Sequence, residues 1–125
     1  MQVLDLANRS KVDEYNQIAR RENRRMARSP LNQPDDYSQL KYLQQRCLLL
    51  WIKRTFTACN RAHVLNSYAW KHYFENDEGG FYITNGQFKG AMLAAGYRPT
   101  KATVNEINWR FRVKPIRDLS HIKSI

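Results

Sequence analysis

The sequence predicts a mainly helical α+β fold: a small helical bundle with a helix-turn-helix-like unit and a short β-hairpin or wing near the C-terminus. Residues 36–57 carry apolar side chains at helical spacing around most of the circumference, which is typical of a central helix packed on more than one side. Residues 67–95 contain two shorter helix signals separated by a glycine turn. Residues 108–114 alternate between apolar and basic side chains, which is the period of a strand.

The chain length of 125 residues predicts a single domain, 1–125, and its first part is expected to be a basic helix over residues 10–28. Ser10 and Asp13 form a weak capping box at its start. The basic side chains of its second half are Arg20, Arg21, Arg24, Arg25 and Arg28. They fit either a solvated helix face or a helix that contacts phosphates. Because this helix has little apolar surface to bury, we expect residues 1–30 to be partly disordered in the free protein.

Two prolines mark the boundary between this basic helix and the compact body, residues 35–115. Pro30 and Pro34 cannot continue a helix, so the segment that contains them is predicted to be a loop. Asp36 and Gln39 then form a plausible capping box, which predicts that the central helix begins at Asp36.

Residues 67–114 are predicted to be a winged-helix-like part of this body. Asn66 or Ser67 can cap a helix over residues 67–75, whose aromatic side chains are expected to be mostly core. Residues 77–80, Asp-Glu-Gly-Gly, predict a turn, and residues 81–83 suit a short strand.

The next helix, residues 85–95, has clear signals at both ends. Thr84 and Gln87 form a capping box, and Gly96 followed by Tyr97 predicts a Schellman ending. The face expected to be exposed carries Gln87, Lys89 and Gly90. We expect this face to lie against a nucleic-acid backbone or to reach a base edge.

The alternating segment near the C-terminus predicts a strand with a basic outer edge. Its apolar residues, Trp109, Phe111 and Val113, are expected to point inward. Its basic residues are Arg110, Arg112 and Lys114. Such an edge either contacts phosphates, as a wing does, or protects an edge strand from aggregation. The tail, residues 116–125, is expected to be short and mobile, although Ile116 and Leu119 could dock.

The net charge of +10 favours a polyanionic partner, either DNA or RNA or an acidic protein face. The N-terminus lacks the apolar region of a signal peptide, and the apolar run Leu48–Ile52 is too short to span a membrane, so we expect a cytoplasmic protein without a membrane role. A homodimer through the central helix or the Trp109 edge is compatible with the pattern.

No set of residues predicts an enzyme, a cofactor or a metal site. Cys59 and His63 stand four residues apart, but two ligands do not make a zinc site. The acidic pairs at residues 35–36 and 77–78 suit a helix cap and a turn, and neither supplies the convergent groups that hydrolysis requires.

Residues 67–113 resemble a group of small bacterial proteins encoded by prophages and mobile elements. The matching residues are Ser67, Tyr68, Lys71, His72, Asn85, Gly86, Phe88, Ala91, Gly96, Tyr97, Asn108 and Phe111. Ala69 departs from the glycine usual in that group. Because the group has no settled activity, the resemblance implies a phage-like origin and a compact unit, but no mechanism.

Charge and resemblance together predict a non-enzymatic phage accessory protein of the bacterial cytoplasm that binds nucleic acid mainly through phosphates. The alternative is an anti-defence inhibitor of the anti-CRISPR type, whose basic residues meet an acidic face of a host nuclease complex. The residues expected to bind in either case are Arg20, Arg21, Arg24, Arg25, Arg28, Gln87, Lys89, Arg98, Lys101, Arg110, Arg112 and Lys114.

Overall fold

The computed structural model describes residues 3–123, with side chains from residue 11 onward, and confirms a mainly helical α+β fold. Its α-helices are α1 Val3–Ala27, α2 Tyr42–Thr55, α3 Ser67–Asn76 and α4 Asn85–Ala94. Two short 3-10 helices, Pro30–Asn32 and Pro34–Gln39, lie between α1 and α2. The strands β1 Phe56–Ala58 and β2 Val113–Pro115 pair antiparallel, with Thr57 opposite Lys114.

The hydrophobic core lies between α2, α3, α4 and the segment that leads into β2. Its most buried side chains come from all four: Leu48, Ile52, Trp70, Phe74, Phe88, Met92, Phe111 and Val113. Edge-to-face aromatic contacts run through it, with ring centroids 5.5 Å apart for Trp51 and Phe74 and 4.8 Å apart for Phe56 and Trp70. Among the aromatic residues of α3, Trp70 and Phe74 are buried and Tyr73 packs against the core, whereas Tyr68 is exposed, so the prediction that most of them are core is confirmed.

Two predicted helix starts are wrong. Ser10 does not cap α1, because this helix begins at Val3 and Ser10 lies inside it. The central helix does not begin at Asp36, which lies in a 3-10 helix; α2 begins at Tyr42. The Asp36 carboxylate accepts a hydrogen bond from the Thr84 hydroxyl at 2.6 Å, so it serves the start of α4 instead of its own segment.

The prediction that the central helix packs on more than one side is also wrong. Leu48 and Ile52 are fully buried, but Tyr42, Leu43, Cys47 and Leu50 are exposed. α2 therefore packs on one side and leaves an apolar face uncovered.

The predicted ends of α3 and α4 are confirmed. The Asn66 side chain accepts from the backbone N–H of Ala69 at 3.0 Å, and Thr84 and Gln87 form the reciprocal capping box. Gly96 has φ +98°, and the N–H groups of Gly96 and Tyr97 donate to the carbonyls of Leu93 and Met92. These two bonds define the Schellman ending.

Two expectations about extended segments need correction. Residues 81–83 are not a strand; the Ile83 N–H donates to the Glu75 carboxylate at 3.0 Å instead. β2 pairs with β1, which precedes α3, so the wing-like strand closes onto chain outside residues 67–114.

The tail is docked over its described part, against the expectation of mobility. The Arg117 guanidinium donates to the Thr55 hydroxyl and to the Asp77 carboxylate, and Ile122 is buried. Ile116 is exposed and Leu119 packs against the core.

Candidate polyanion-binding surfaces

Four basic residues share the outer face of the segment that ends in β2. Arg110, Arg112 and Lys114 alternate with the buried Trp109, Phe111 and Val113, as predicted. The antiparallel bridge between Pro99 and Phe111 places Arg98 across from Arg112. We call Arg98, Arg110, Arg112 and Lys114 the basic strand face.

The basic strand face has its charges open to solvent. Arg98, Arg112 and Lys114 are exposed, whereas Arg110 is half-buried and its Nε donates to the His63 carbonyl at 2.8 Å. Among the described residues, none of the four has a carboxylate within salt-bridge distance. Lys101 is also exposed, in the turn just after the Pro99 bridge. Arg98 and Arg112 are like charges that lie opposite each other, an arrangement that destabilises the pairing of neighbouring strands.

The prediction of an exposed face on α4 is wrong. Lys89 and Gly90 are buried, and the Oε1 of Gln87 accepts from the Thr84 N–H within the capping box. The cause is residues 29–40, here called the covering segment, which packs on α4 where the chain carries glycines. A Cβ at Gly86 would overlap the Gln33 backbone, and one at Gly90 would overlap the Pro34 carbonyl. This side of α4 therefore cannot enter a groove.

Lys89 instead faces a partly open cavity of about 360 Å³ between the end of α1, α4 and residues 104–109. Arg24, in the last turn of α1, and Arg28, which directly follows α1, line the same cavity. Three of the predicted binding residues are thus brought together by the fold. We call this space the Lys89 cavity.

The Lys89 ammonium has no acidic partner in the described part of the chain. Its Nζ donates to the Asn32 carbonyl at 2.7 Å and lies 4.8 Å from the centre of the Trp109 ring. Burial lowers the pKa of Lys89 to about 8. Because burial penalises the charged form, a charge held here without a carboxylate costs stability.

The other arginines of α1 join neither surface. Arg20, Arg21 and Arg25 are exposed, and Arg25 donates to the Glu22 carboxylate at 2.7 Å. The body holds the end of α1 through two side-chain amides: Asn32 donates to the Met26 carbonyl and Gln33 to the Ala27 carbonyl. This places Arg24 and Arg28, but not the earlier arginines, beside the body.

Sequence reasoning missed an ionic cluster around Asp77. Burial alone would raise the pKa of Asp77, but hydrogen bonds from Trp51, Arg117, the Glu78 N–H and His121 outweigh it and lower the pKa to about 2. The cluster fastens the tail to α2 and α3. The Asp-Glu-Gly-Gly turn signalled the bend but gave no sign of these partners.

A second cavity, of about 540 Å³, gathers Tyr68, Lys71, His72, Asn85 and Asn108, all of which belong to the pattern of the resemblance. The Glu75 carboxylate accepts from the Lys71 Nζ at 3.0 Å and lies 3.0 Å from the His72 Nδ1. Burial and the Lys71 charge lower the pKa of His72 against the raising effect of Glu75. Because Glu75 also accepts from the Ile83 N–H, this network positions residues 81–83 without a ligand.

The described residues contain neither a membrane-spanning helix nor a metal-binding cluster. None of the helices there has the length and apolar character needed to cross a membrane. Within the same residues, no group of three or more His, Cys, Asp or Glu side chains is arranged to hold a metal ion.

Comparison of the chain with protein-family models, curated protein sequences and solved structures found no match. The resemblance to prophage proteins therefore stays a prediction.

Proposed function

We propose that this protein is a non-enzymatic accessory protein of a phage or mobile element that binds DNA or RNA mainly through phosphate contacts, in the cytoplasm of a bacterial host. The basic strand face carries the proposal. Arg98 and Arg112 stand opposite each other with no carboxylate in reach among the described residues. Phosphates relieve this repulsion and release counterions when they bind.

The contacts available on this face favour affinity over sequence specificity. Arg112 and Lys114 are two residues apart on one strand, a spacing of about 6.6–6.8 Å, so they can meet successive points on a charged backbone. Phosphate contacts position a protein but carry no sequence information. Since the face of α4 that was expected to read bases is covered, we propose weak sequence preference.

Fluorescence anisotropy with labelled duplex and single-stranded DNA and RNA, at several salt concentrations, tests the proposal. We expect a log–log slope of about −4 or steeper for the natural protein. Arg98→Ala with Arg112→Ala should weaken binding to all sequences and flatten the slope by about two units. Arg110→Ala with Arg112→Ala should act similarly, but Arg110 also holds the His63 carbonyl.

A matched control removes two exposed charges elsewhere. Arg46→Ala with Lys53→Ala changes the net charge equally, on the outer side of α2. We expect this control to leave the slope nearly unchanged. Absence of binding at low salt, or equal weakening by both pairs, would contradict the proposal.

The alternative, an anti-defence inhibitor that binds an acidic face of a host nuclease complex, is favoured by one observation. The outer face of α2 exposes apolar side chains, with Leu43 at 74% and Leu50 at 48%, beside Arg46 and Lys53. An apolar patch with a basic rim suits a protein partner better than a nucleic acid. Co-purification from a defence-positive host after nuclease treatment tests it: a stoichiometric partner lost on Leu43→Glu, with DNA binding intact, supports inhibition.

A further inference from the structure

The Lys89 ammonium is buried without the compensation that buried charges normally have. Only 1% of the residue is exposed, and its one hydrogen bond is to the Asn32 carbonyl. Glu106 also lines the cavity, but it accepts from the Asn23 amide at 3.3 Å and forms no salt bridge with Lys89. A buried charge is costly unless an opposite charge or a ligand compensates it.

The Lys89 cavity supplies further cationic donors. Arg24 and Arg28 line it from the end of α1 and the residue that follows it, and both are exposed, so they stand toward solvent while the buried Lys89 lies at the closed end. The amides of Asn32 and Gln33 are engaged by the last carbonyls of α1 and do not compete for a ligand. Three cations therefore face this space against a single carboxylate, that of Glu106.

This arrangement matches the chemistry of an oxyanion. Arginine offers a planar fork of donors that fits phosphate oxygens, and lysine adds a point charge with spare donors. The volume of about 360 Å³ lies within the range of small-ligand sites. We propose that the Lys89 cavity is a phosphate-binding pocket, with Lys89 at its closed end and Arg24 and Arg28 at its opening.

The proposal does not depend on nucleic-acid binding by the basic strand face. A phosphate monoester, free phosphate and a nucleic-acid phosphate share the chemistry that these three residues recognise. Inorganic phosphate is the probe, because its binding can be measured without any oligonucleotide.

The first experiment compares sodium phosphate with sodium chloride at equal ionic strength, by thermal unfolding and by calorimetric titration at pH 7. We expect phosphate alone to raise the Tm of the natural protein. Lys89→Met, and separately Arg24→Ala with Arg28→Ala, should weaken phosphate binding roughly tenfold or more. Arg46→Ala with Lys53→Ala is the charge-matched control and should bind phosphate as the natural protein does.

A phosphate effect no larger than that of chloride, or one that both the Lys89 variant and the Arg24 and Arg28 variant retain, overturns the proposal. Since Arg24 and Arg28 are exposed, their variant tests the pocket even if Lys89→Met fails to fold.

Oligonucleotides then identify the source of the phosphate. If Lys89→Met weakens an oligonucleotide only when it carries a 5′-phosphate, the pocket takes a monoester; if it weakens the 5′-hydroxyl form equally, the pocket takes backbone phosphates. If inorganic phosphate binds and Lys89→Met affects neither oligonucleotide, the pocket takes a small free phosphate. Phosphate binding without any oligonucleotide binding overturns the proposed function while supporting the pocket.

Discussion

The helices α1 and α4 differ in how many of their side chains are buried. α1 is the longer helix, and every side chain from residue 11 to 26 is exposed. α4 has ten residues, of which seven are buried, Lys89 among them. The contrast shows that local helix signals do not indicate burial: α4, which was predicted to offer a binding face, is covered, whereas the side chains of α1 from residue 11 to 26 are exposed.

Glycine explains most of this contrast. Gly86 and Gly90 stand four residues apart on α4, and the covering segment lies directly against their Cα atoms. This close approach buries whatever lies beside them, including a lysine. α1 has no glycine, its last turn carries Arg24 and Arg25, and its side chains from residue 11 to 26 are exposed.

The strongest way to break the contrast is to add a methyl group to α4. Gly90→Ala would place a Cβ on the Pro34 carbonyl and the Tyr37 Cβ. The gain in helix propensity is about 1 kcal/mol, whereas overlap with backbone atoms that cannot move aside costs about 4 kcal/mol, above the usual range of about 1–3 kcal/mol for overpacking, so we expect a net loss of about 3 kcal/mol. Urea unfolding measures it. Asn16→Ala on α1 is the control, and its change should stay within about 0.5 kcal/mol; equal losses would remove the distinction between the helices.

The second prediction contrasts Lys89 with Asp77, a half-buried residue whose carboxylate accepts hydrogen bonds from the Trp51 and Arg117 side chains and from the Glu78 N–H. The donors around Asp77 hold its pKa at about 2, below the ordinary 3.8. A depressed carboxyl pKa stabilises the fold above the unfolded-state value, and this stability is lost as the pH falls from about 4 toward 2. Asp77→Asn should therefore cost about 2.5 kcal/mol at pH 6. Urea unfolding of both proteins at pH 6 and pH 2.5 should show the gap closing; a constant gap would contradict the assignment.

The sequence carried enough information for the elements whose signals are local. The capping box of Thr84 and Gln87, the glycine ending at Gly96 and the alternation over residues 109–114 each depend on neighbours within a few residues, and each is confirmed. The start of α2 depended on a distant partner. Asp36 looked like a cap because Gln39 follows it at capping-box spacing. Its actual partner, Thr84, is 48 residues away in the sequence, and such a contact leaves no local trace.

The candidate site was predictable in part for the same reason. The outward side of Arg110, Arg112 and Lys114 follows from strand period, but the position of Arg98 opposite Arg112 needs the bridge at Pro99. The Lys89 cavity could not be inferred. Helical spacing put Lys89 on the polar side of α4, and only the packing of the covering segment turned that side inward.

Lys89→Met sharpens the comparison from inside α4. The lowered pKa of about 8 corresponds to a cost of about 3 kcal/mol for keeping the buried ammonium charged at pH 7. Methionine fills a similar volume but leaves the Asn32 carbonyl unpaired, which costs about 1 kcal/mol. We therefore expect Lys89→Met to stabilise the protein by about 2 kcal/mol at pH 7 in chloride buffer.

The pH dependence of Lys89→Met has a defined sign. The unfolded lysine, near 10.5, binds its proton more tightly than the folded one, near 8. The cost is thus complete below pH 8 and is relieved as the pH rises from 8 toward 10.5. Denaturant unfolding at pH 7 and pH 9.5 should show the advantage of the variant shrinking. A variant less stable than the natural protein at pH 7 would mean that the cavity compensates the charge.

The smallest effect on stability is expected for a variant of α1. Its DNA binding tests whether the arginines of this helix form a solvated face or contact phosphates. Arg20 and Arg21 are exposed and have no ion pair among the described residues, so Arg20→Ala with Arg21→Ala should change the free energy of unfolding by no more than about 0.5 kcal/mol. If α1 contacts phosphates, as the proposed function implies, the same variant should flatten the salt dependence of DNA binding by about two units. An unchanged slope would make this part of α1 a solvated face and confine the phosphate contacts to the body and the last turn of the helix.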